Sequence, residues 1–146
     1  MFCVAEQGVG TVAERKDMVG KVVRVAVGVC GVGALVLAFG FLVQPDILAR
    51  RLGLQADGPL GLSTLRGDMS GLFALIGVFS VAAALRRRAD YLAAPIFLLT
   101  VILAGRGLSA LVDGSGVVAL DLIGVEIVML VVLVLGLRMM ARPVRV

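Results

Sequence analysis

Four stretches of this chain are each long and apolar enough to cross a bilayer as a helix, which takes about 20 residues for ~30 Å of hydrocarbon. Val25 to Pro45, between Arg24 and Asp46, carries no charge, and neither does Met69 to Leu85, whose apolar character reaches back to Gly61. Tyr91 to Val112 is interrupted only by Arg106, and Val117 to Leu137 only by Asp121 and Glu126. The stretches are too long and too continuously apolar for the alternating strands of an outer-membrane barrel. The expected fold is therefore all-α, with transmembrane helices at about 22–43, 62–85, 91–112 and 117–140. Arg86 to Asp90 and Asp113 to Gly116 are turn-sized, so the helices should form an antiparallel bundle. Residues 44–61 read as an interfacial amphipathic stretch or lid, and residues 1–20 as a flexible tail before a single transmembrane domain over 21–146. The tail has no apolar core of a signal peptide, and the first helix behind Lys21 and Arg24 would act as an uncleaved anchor.

Composition removes whole classes of chemistry. With 60% hydrophobic and 16% charged residues, too few polar side chains exist to coat a water-soluble core. The chain has no His, and its two cysteines, Cys3 and Cys30, stand far apart. Zinc or iron–sulfur clusters, His-ligated haem, thiol–disulfide exchange and Ser-His-Asp catalysis are not expected, and no metal or cofactor is implied.

The net charge of +4 divides unevenly. The N-terminal segment, the Arg86–Arg88 turn and the C-terminal segment hold ten of the fourteen basic residues and a net +6, while the 44–61 segment is neutral. By the positive-inside rule both termini are expected in the cytoplasm, and the basic surplus marks topology rather than a nucleic-acid surface. The other six charges, Arg66, Asp68, Arg106, Asp113, Asp121 and Glu126, sum to −2. A rise of about 1.5 Å per residue places Arg106 roughly 9 Å, Asp121 roughly 6 Å and Glu126 roughly 13 Å below the outer boundary. Arg66 and Asp68 enter at the outer end of the second helix. One polar site in the outer half is expected, above an aliphatic inner half.

A charge near the middle of a membrane helix costs roughly 2.5–3.5 kcal/mol, so such groups are expected to face the bundle interior, pair, and carry function. Two arginines neutralise two of the four carboxylates. The surplus carboxyls, in low dielectric beside like charges, are in the situation that favours the protonated form a general acid needs. Glu126, the deepest, is the first candidate acid and Asp68 the second, with Asp121 beside them and Arg66 and Arg106 tuning them. A structural reading stands next to this one: Arg66 with Asp68 or Glu126, and Arg106 with Asp113, also fit as ion pairs that fix register. Asp113 before Gly114 suits a tight turn. The small-residue steps Gly67/Gly71 and Gly105/Ser109, with Gly28, Gly31, Gly33 and Gly40, read as places of close helix approach. Phe73 and Phe97 read as packing residues, with a lining of a cation-stabilising cavity as the functional alternative.

The stretches LRGDMSGLFALIGVF, LAGRGLSALVDG and LDLIGVEIVML resemble a family of small bacterial four-helix membrane proteins. That family includes the membrane terpene cyclases of drimentine- and xiamycin-type indole-terpenoid biosynthesis, and the likeness covers roughly residues 21 to 140. The resemblance implies a multi-pass protein of the bacterial plasma membrane. It also implies an activity: an acid protonates the terminal alkene or epoxide of a farnesyl chain carried on an indole or cyclodipeptide, and rings close. The partner implied is an isoprenoid-bearing small molecule within the bilayer. No DDxxD or DxDD sequence is present, so neither magnesium nor diphosphate ionisation is expected. Two other readings remain: a noncatalytic lipid-binding or assembly protein, and a small proton-coupled exporter, which the uncharged first helix disfavours.

Overall fold

A computed structural model describes residues 5–112 and 120–141, all of whose regular elements are helical. Helix α1 runs from Ala5 to Val43 and α2 from Pro45 to Arg51. Then α3 (Gly58–Thr64), a π-helical turn (Leu65–Met69) and α4 (Ser70–Arg86) form one continuous rod. A 3₁₀ turn over Ala89–Leu92 leads into α5 (Ala93–Val112), and α6 spans Leu120–Met140. Four segments are long and apolar enough to span a membrane, Asp17–Val43, Gly58–Arg86, Ala89–Val112 and Leu120–Met140, and they pack as an antiparallel bundle.

The element boundaries depart from expectation in two places. The first helix extends back to Ala5, through most of the segment expected as a flexible tail. No proline interrupts residues 5–43, so nothing in the chain ends the backbone hydrogen-bond ladder at the membrane boundary. Within the 44–61 segment only Pro45–Arg51 is a separate short helix; Pro59 sits in the first turn of α3, where its fixed φ and missing N–H are tolerated. Pro45 and Ala49 of α2 are buried, and an Asp46–Arg50 ion pair lies along its exposed side.

The bundle is packed unevenly along its length. At the basic end, where Arg24, Arg86–Arg88 and Arg138 lie, and on to mid-bundle, Val27, Ala34, Ile76, Ala83, Leu92, Leu99 and Leu133 form one core. A Cβ on Gly136 would meet Val27 Cγ2 at 2.7 Å and Leu92 Cδ1 at 3.2 Å, which marks a tight junction of three elements. Helices α1 and α4 remain close along their whole length. They touch backbone to backbone where Gly31 crosses Gly77, and further on Phe41 stacks on Phe73 with ring centroids 5.6 Å apart. Toward the opposite end, where α2 lies, α5 has no buried residue beyond Leu99, and α6 has none between Leu120 and Val132.

Glycines mark the same division. Gly31, Gly40, Gly77 and Gly136 sit at close approaches, whereas a Cβ on Gly67, Gly71, Gly105, Gly107 or Gly124, and also on Gly33, which was expected at a close approach, would meet no neighbour within 4 Å. The Gly67/Gly71 and Gly105/Ser109 steps therefore do not mediate the close packing expected of them. The intimate crossing belongs to Gly31 and Gly77, and Gly67, Gly71, Gly105, Gly107 and Gly124 lie in the half of the bundle nearer α2 instead.

Candidate functional site

Core-facing positions recur every seven residues along α5 and α6, because seven steps of about 100° return almost to the same face. Leu92, at the end of the 3₁₀ turn that leads into α5, and Leu99 of α5 are buried, and the next position in that series is Arg106. On α6, Leu133 is buried, and seven residues earlier stands Glu126. The two charged side chains therefore continue the core stripe about 10 Å beyond its last leucines. There they meet. Arg106 Nε donates to Glu126 Oε1 at 2.9 Å and lies 2.8 Å from Oε2, with the two side chains 29% and 16% exposed. The N–H is directed at Oε1, so Oε2 is left buried without a hydrogen bond. A carboxylate oxygen in that state retains acceptor capacity for a donor brought by something else.

Arg66 and Asp68 lie in the π-helical turn Leu65–Met69. A π turn inserts one residue into the α-helical ladder, leaves carbonyls in need of partners, and is often found at functional sites. Here the buried Ser70 takes up the slack: its hydroxyl donates to the Arg66 carbonyl and lies 3.2 Å from the Gly67 carbonyl oxygen. Ser70→Ala is expected to lower stability by about 1 kcal/mol, the net worth of one hydrogen bond. It should also speed amide exchange at residues 66–70; exchange as slow as in the unsubstituted protein would show that Ser70 does not hold the turn.

The five of these charges that are described, Arg66, Asp68, Arg106, Asp121 and Glu126, are thus not gathered into one interior site. Arg106 and Glu126 face inward and pair, an arrangement the sequence reading did not single out among its candidate pairs. Arg66 and Asp68 are exposed, and neither forms an ion pair among the described residues. The reason is the turn itself: a π insertion rotates what precedes it relative to α4, whose buried face is Ser70, Ile76, Gly77 and Ser80. Asp121 is also exposed. It borders an apolar groove of about 630 Å³ between α1 and α6, whose walls include Ala34, Leu37, Val125 and Met129. Asp113 lies outside the described residues, so its expected pairing with Arg106 is not part of the picture.

Of the aromatic candidates, Phe73 packs on Phe41, whereas Phe97 is 71% exposed and points out of the bundle. Phe97 stands two residues from the buried Leu99, a rotation of about 200° that puts it on the opposite face. It cannot line an interior cavity. Phe41, Ser70 and the fully buried Ser80 were not anticipated; Ser70 carried a weak signal, as a hydroxyl close behind the two charges of Arg66–Asp68.

Fold and site together define an all-helical, multi-pass membrane protein with an interhelical ion pair in its loosely packed half. No protein-family model matches the chain, and comparison with curated proteins and with solved structures yields no significant match.

Proposed function

We propose that this chain is an integral membrane terpene cyclase of the bacterial plasma membrane, with both termini cytoplasmic. The observation that carries the reading is Glu126 Oε2, a buried carboxylate oxygen that is ion-paired with Arg106 but accepts no hydrogen bond, in the half of the bundle where the glycines of α5 and α6 meet no neighbour. The likeness of the three sequence stretches to membrane cyclases supports it, and the placing of ten basic residues supports the orientation.

The pairing redistributes the roles among the carboxyl groups. An ion pair with Arg106 requires the carboxylate form, so Glu126 suits the proton-accepting role. Asp68, exposed on the π turn, and Asp121, at the rim of the apolar groove between α1 and α6, are the carboxyl groups left for the proton-donating role, which we assign to Asp68 with Asp121 as the alternative. In the reaction the Asp68 carboxyl gives its proton to the terminal alkene carbon of a farnesyl group, leaving a tertiary cation. The internal alkenes attack in turn to form ring C–C bonds, and Glu126 removes a proton next to the last cation to restore an alkene. The change is an isomerisation, without oxidant or metal.

Membranes containing the protein are expected to convert a farnesylated indole into cyclised products identifiable by mass spectrometry. Asp68→Asn and Glu126→Gln should each lower the rate by about 10²-fold or more, the usual worth of a general acid or base. Full activity in both variants, or no turnover by the unsubstituted protein, overturns the proposal. The groove between α1 and α6 favours a second reading, a noncatalytic protein that holds a lipid chain. In that case the same variants would bind the farnesylated indole unchanged and no product would form.

A further inference from the structure

The three consecutive arginines at the C-terminal end of α4 are not equivalent. Arg86 donates to the Tyr91 hydroxyl at 2.8 Å, and its guanidinium carbon lies 5.6 Å from the tyrosine ring centroid. Arg88 donates to Asp90 at 2.8 Å and lies 5.9 Å from the same ring. Arg87 does neither. It ends α4 in the left-handed conformation, with φ of 53°, where helices commonly place glycine and an L side chain is strained. With Arg24 of α1 it lines the mouth of a groove between α1 and α4, a space of about 330 Å³. Among the described residues neither Arg24 nor Arg87 has an ion pair or a side-chain hydrogen bond.

Behind these two guanidinium groups the groove is wholly apolar. It continues along Val25, Gly28, Val29, Val81 and Ala84 as far as Gly33, with a volume of about 550 Å³. Gly28 opens it, since its missing side chain would stand 3.5 Å from Ala84 Cβ. From Arg24 to Gly33 is ~14 Å along α1, roughly half the ~30 Å hydrocarbon thickness and so the depth of one leaflet.

We propose that this groove binds one anionic phospholipid, its phosphodiester held between Arg24 and Arg87 and one acyl chain laid along Gly28 to Gly33. Charge complementarity selects the headgroup: two guanidinium groups unneutralised by any described carboxylate face the same opening, above a floor that accepts only hydrocarbon. Basic pockets between transmembrane helices recognise anionic headgroups in this way. The phosphodiester also accounts for an arginine at a left-handed position that glycine would occupy with less strain. The site is separate from the Arg106–Glu126 pair and does not depend on the cyclase reading.

The test is native mass spectrometry of the full chain, released from neutral detergent containing equal phosphatidylglycerol and phosphatidylcholine of the same acyl chains. One phosphatidylglycerol per chain should be retained with a preference of about thirtyfold, as expected for two arginines at the membrane surface. Arg24→Gln/Arg87→Gln should reduce the preference to about one, whereas Arg138→Gln, a charge loss at the same end outside the groove, should leave it intact. Because the double variant risks misfolding, Arg87→Gly provides the second arm. It relieves the left-handed strain, so its thermal midpoint in phosphatidylcholine should equal or exceed that of the unsubstituted protein while its preference falls about fivefold. An unsubstituted protein without preference, an equal loss in Arg138→Gln, or full preference in Arg87→Gly would overturn the proposal. So would inorganic phosphate displacing the lipid at millimolar concentration, which would mean that the acyl chain contributes nothing.

Discussion

Arg106→Met is expected to destabilise the bundle by up to about 3 kcal/mol, the cost of leaving one member of a part-buried ion pair without its partner. The estimate can be weighed against two others. Interhelical polar contacts in membranes average only ~0.6 kcal/mol, because neutral groups find other partners when the contact breaks. A lone carboxylate in apolar surroundings finds none, and its cost alone is roughly 2.5–3.5 kcal/mol. Glu126 is 16% exposed, and one of its oxygens already lacks a hydrogen bond, so the larger figure applies. Arg106→Met/Glu126→Met removes both charges and should return stability to within about 1 kcal/mol of the original or above it. Unfolding titrations of the four proteins in mixed micelles give the coupling energy directly. If Arg106→Met alone were as stable as the unsubstituted protein, the pair would not be an interior one. The double variant has a further use: it should keep the fold and lose cyclisation, which separates a chemical role for Glu126 from a structural one.

The second large effect lies at the crossing of α1 and α4. Gly77→Val should cost at least about 1–3 kcal/mol, the range for an overpacked core. Its Cβ would stand 2.6 Å from Leu35 Cγ and 2.9 Å from the Gly31 carbonyl oxygen. The leucine can turn aside, but the carbonyl belongs to a helix backbone that moves only if the helices part. Gly31→Val meets the same barrier from the other side, with the Val81 backbone nitrogen 2.9 Å away. Gly71→Ala and Gly105→Ala provide the contrast. Both positions face open space, so alanine should be neutral or add up to ~1 kcal/mol from helix propensity. Equal losses at all four positions would mean that the open half closes up in the membrane.

These contrasts show how far the sequence could be read. The number of spans and the antiparallel order were legible, because each depends on local quantities: the length of an uncharged run, and the size of the link between runs. Arg106 and Glu126 were legible as interior charges, since a charge in such a run has few places to go. Helix rotation was harder to read. A helix apolar all round gives no periodic signal, so nothing told Phe97, which faces out, from Leu99, which faces in. Only the seven-residue spacing of Arg106 from Leu99 and of Glu126 from Leu133 could have shown it. The π turn left less trace still. It is a property of backbone hydrogen-bond register, and it turned Arg66 and Asp68 away from the interior to which their depth alone had assigned them.

From the sequence alone came the all-helical membrane class, four spans and a chain whose basic charge gathers at one end, because hydrocarbon thickness and the cost of burying charge act on each segment separately. Only the tertiary structure decided which carboxylate receives an arginine, which glycines let helices touch, and which of three adjacent arginines opens onto a groove. Each of those depends on the rotation and depth of one helix against another, and a uniformly apolar surface leaves that choice to packing.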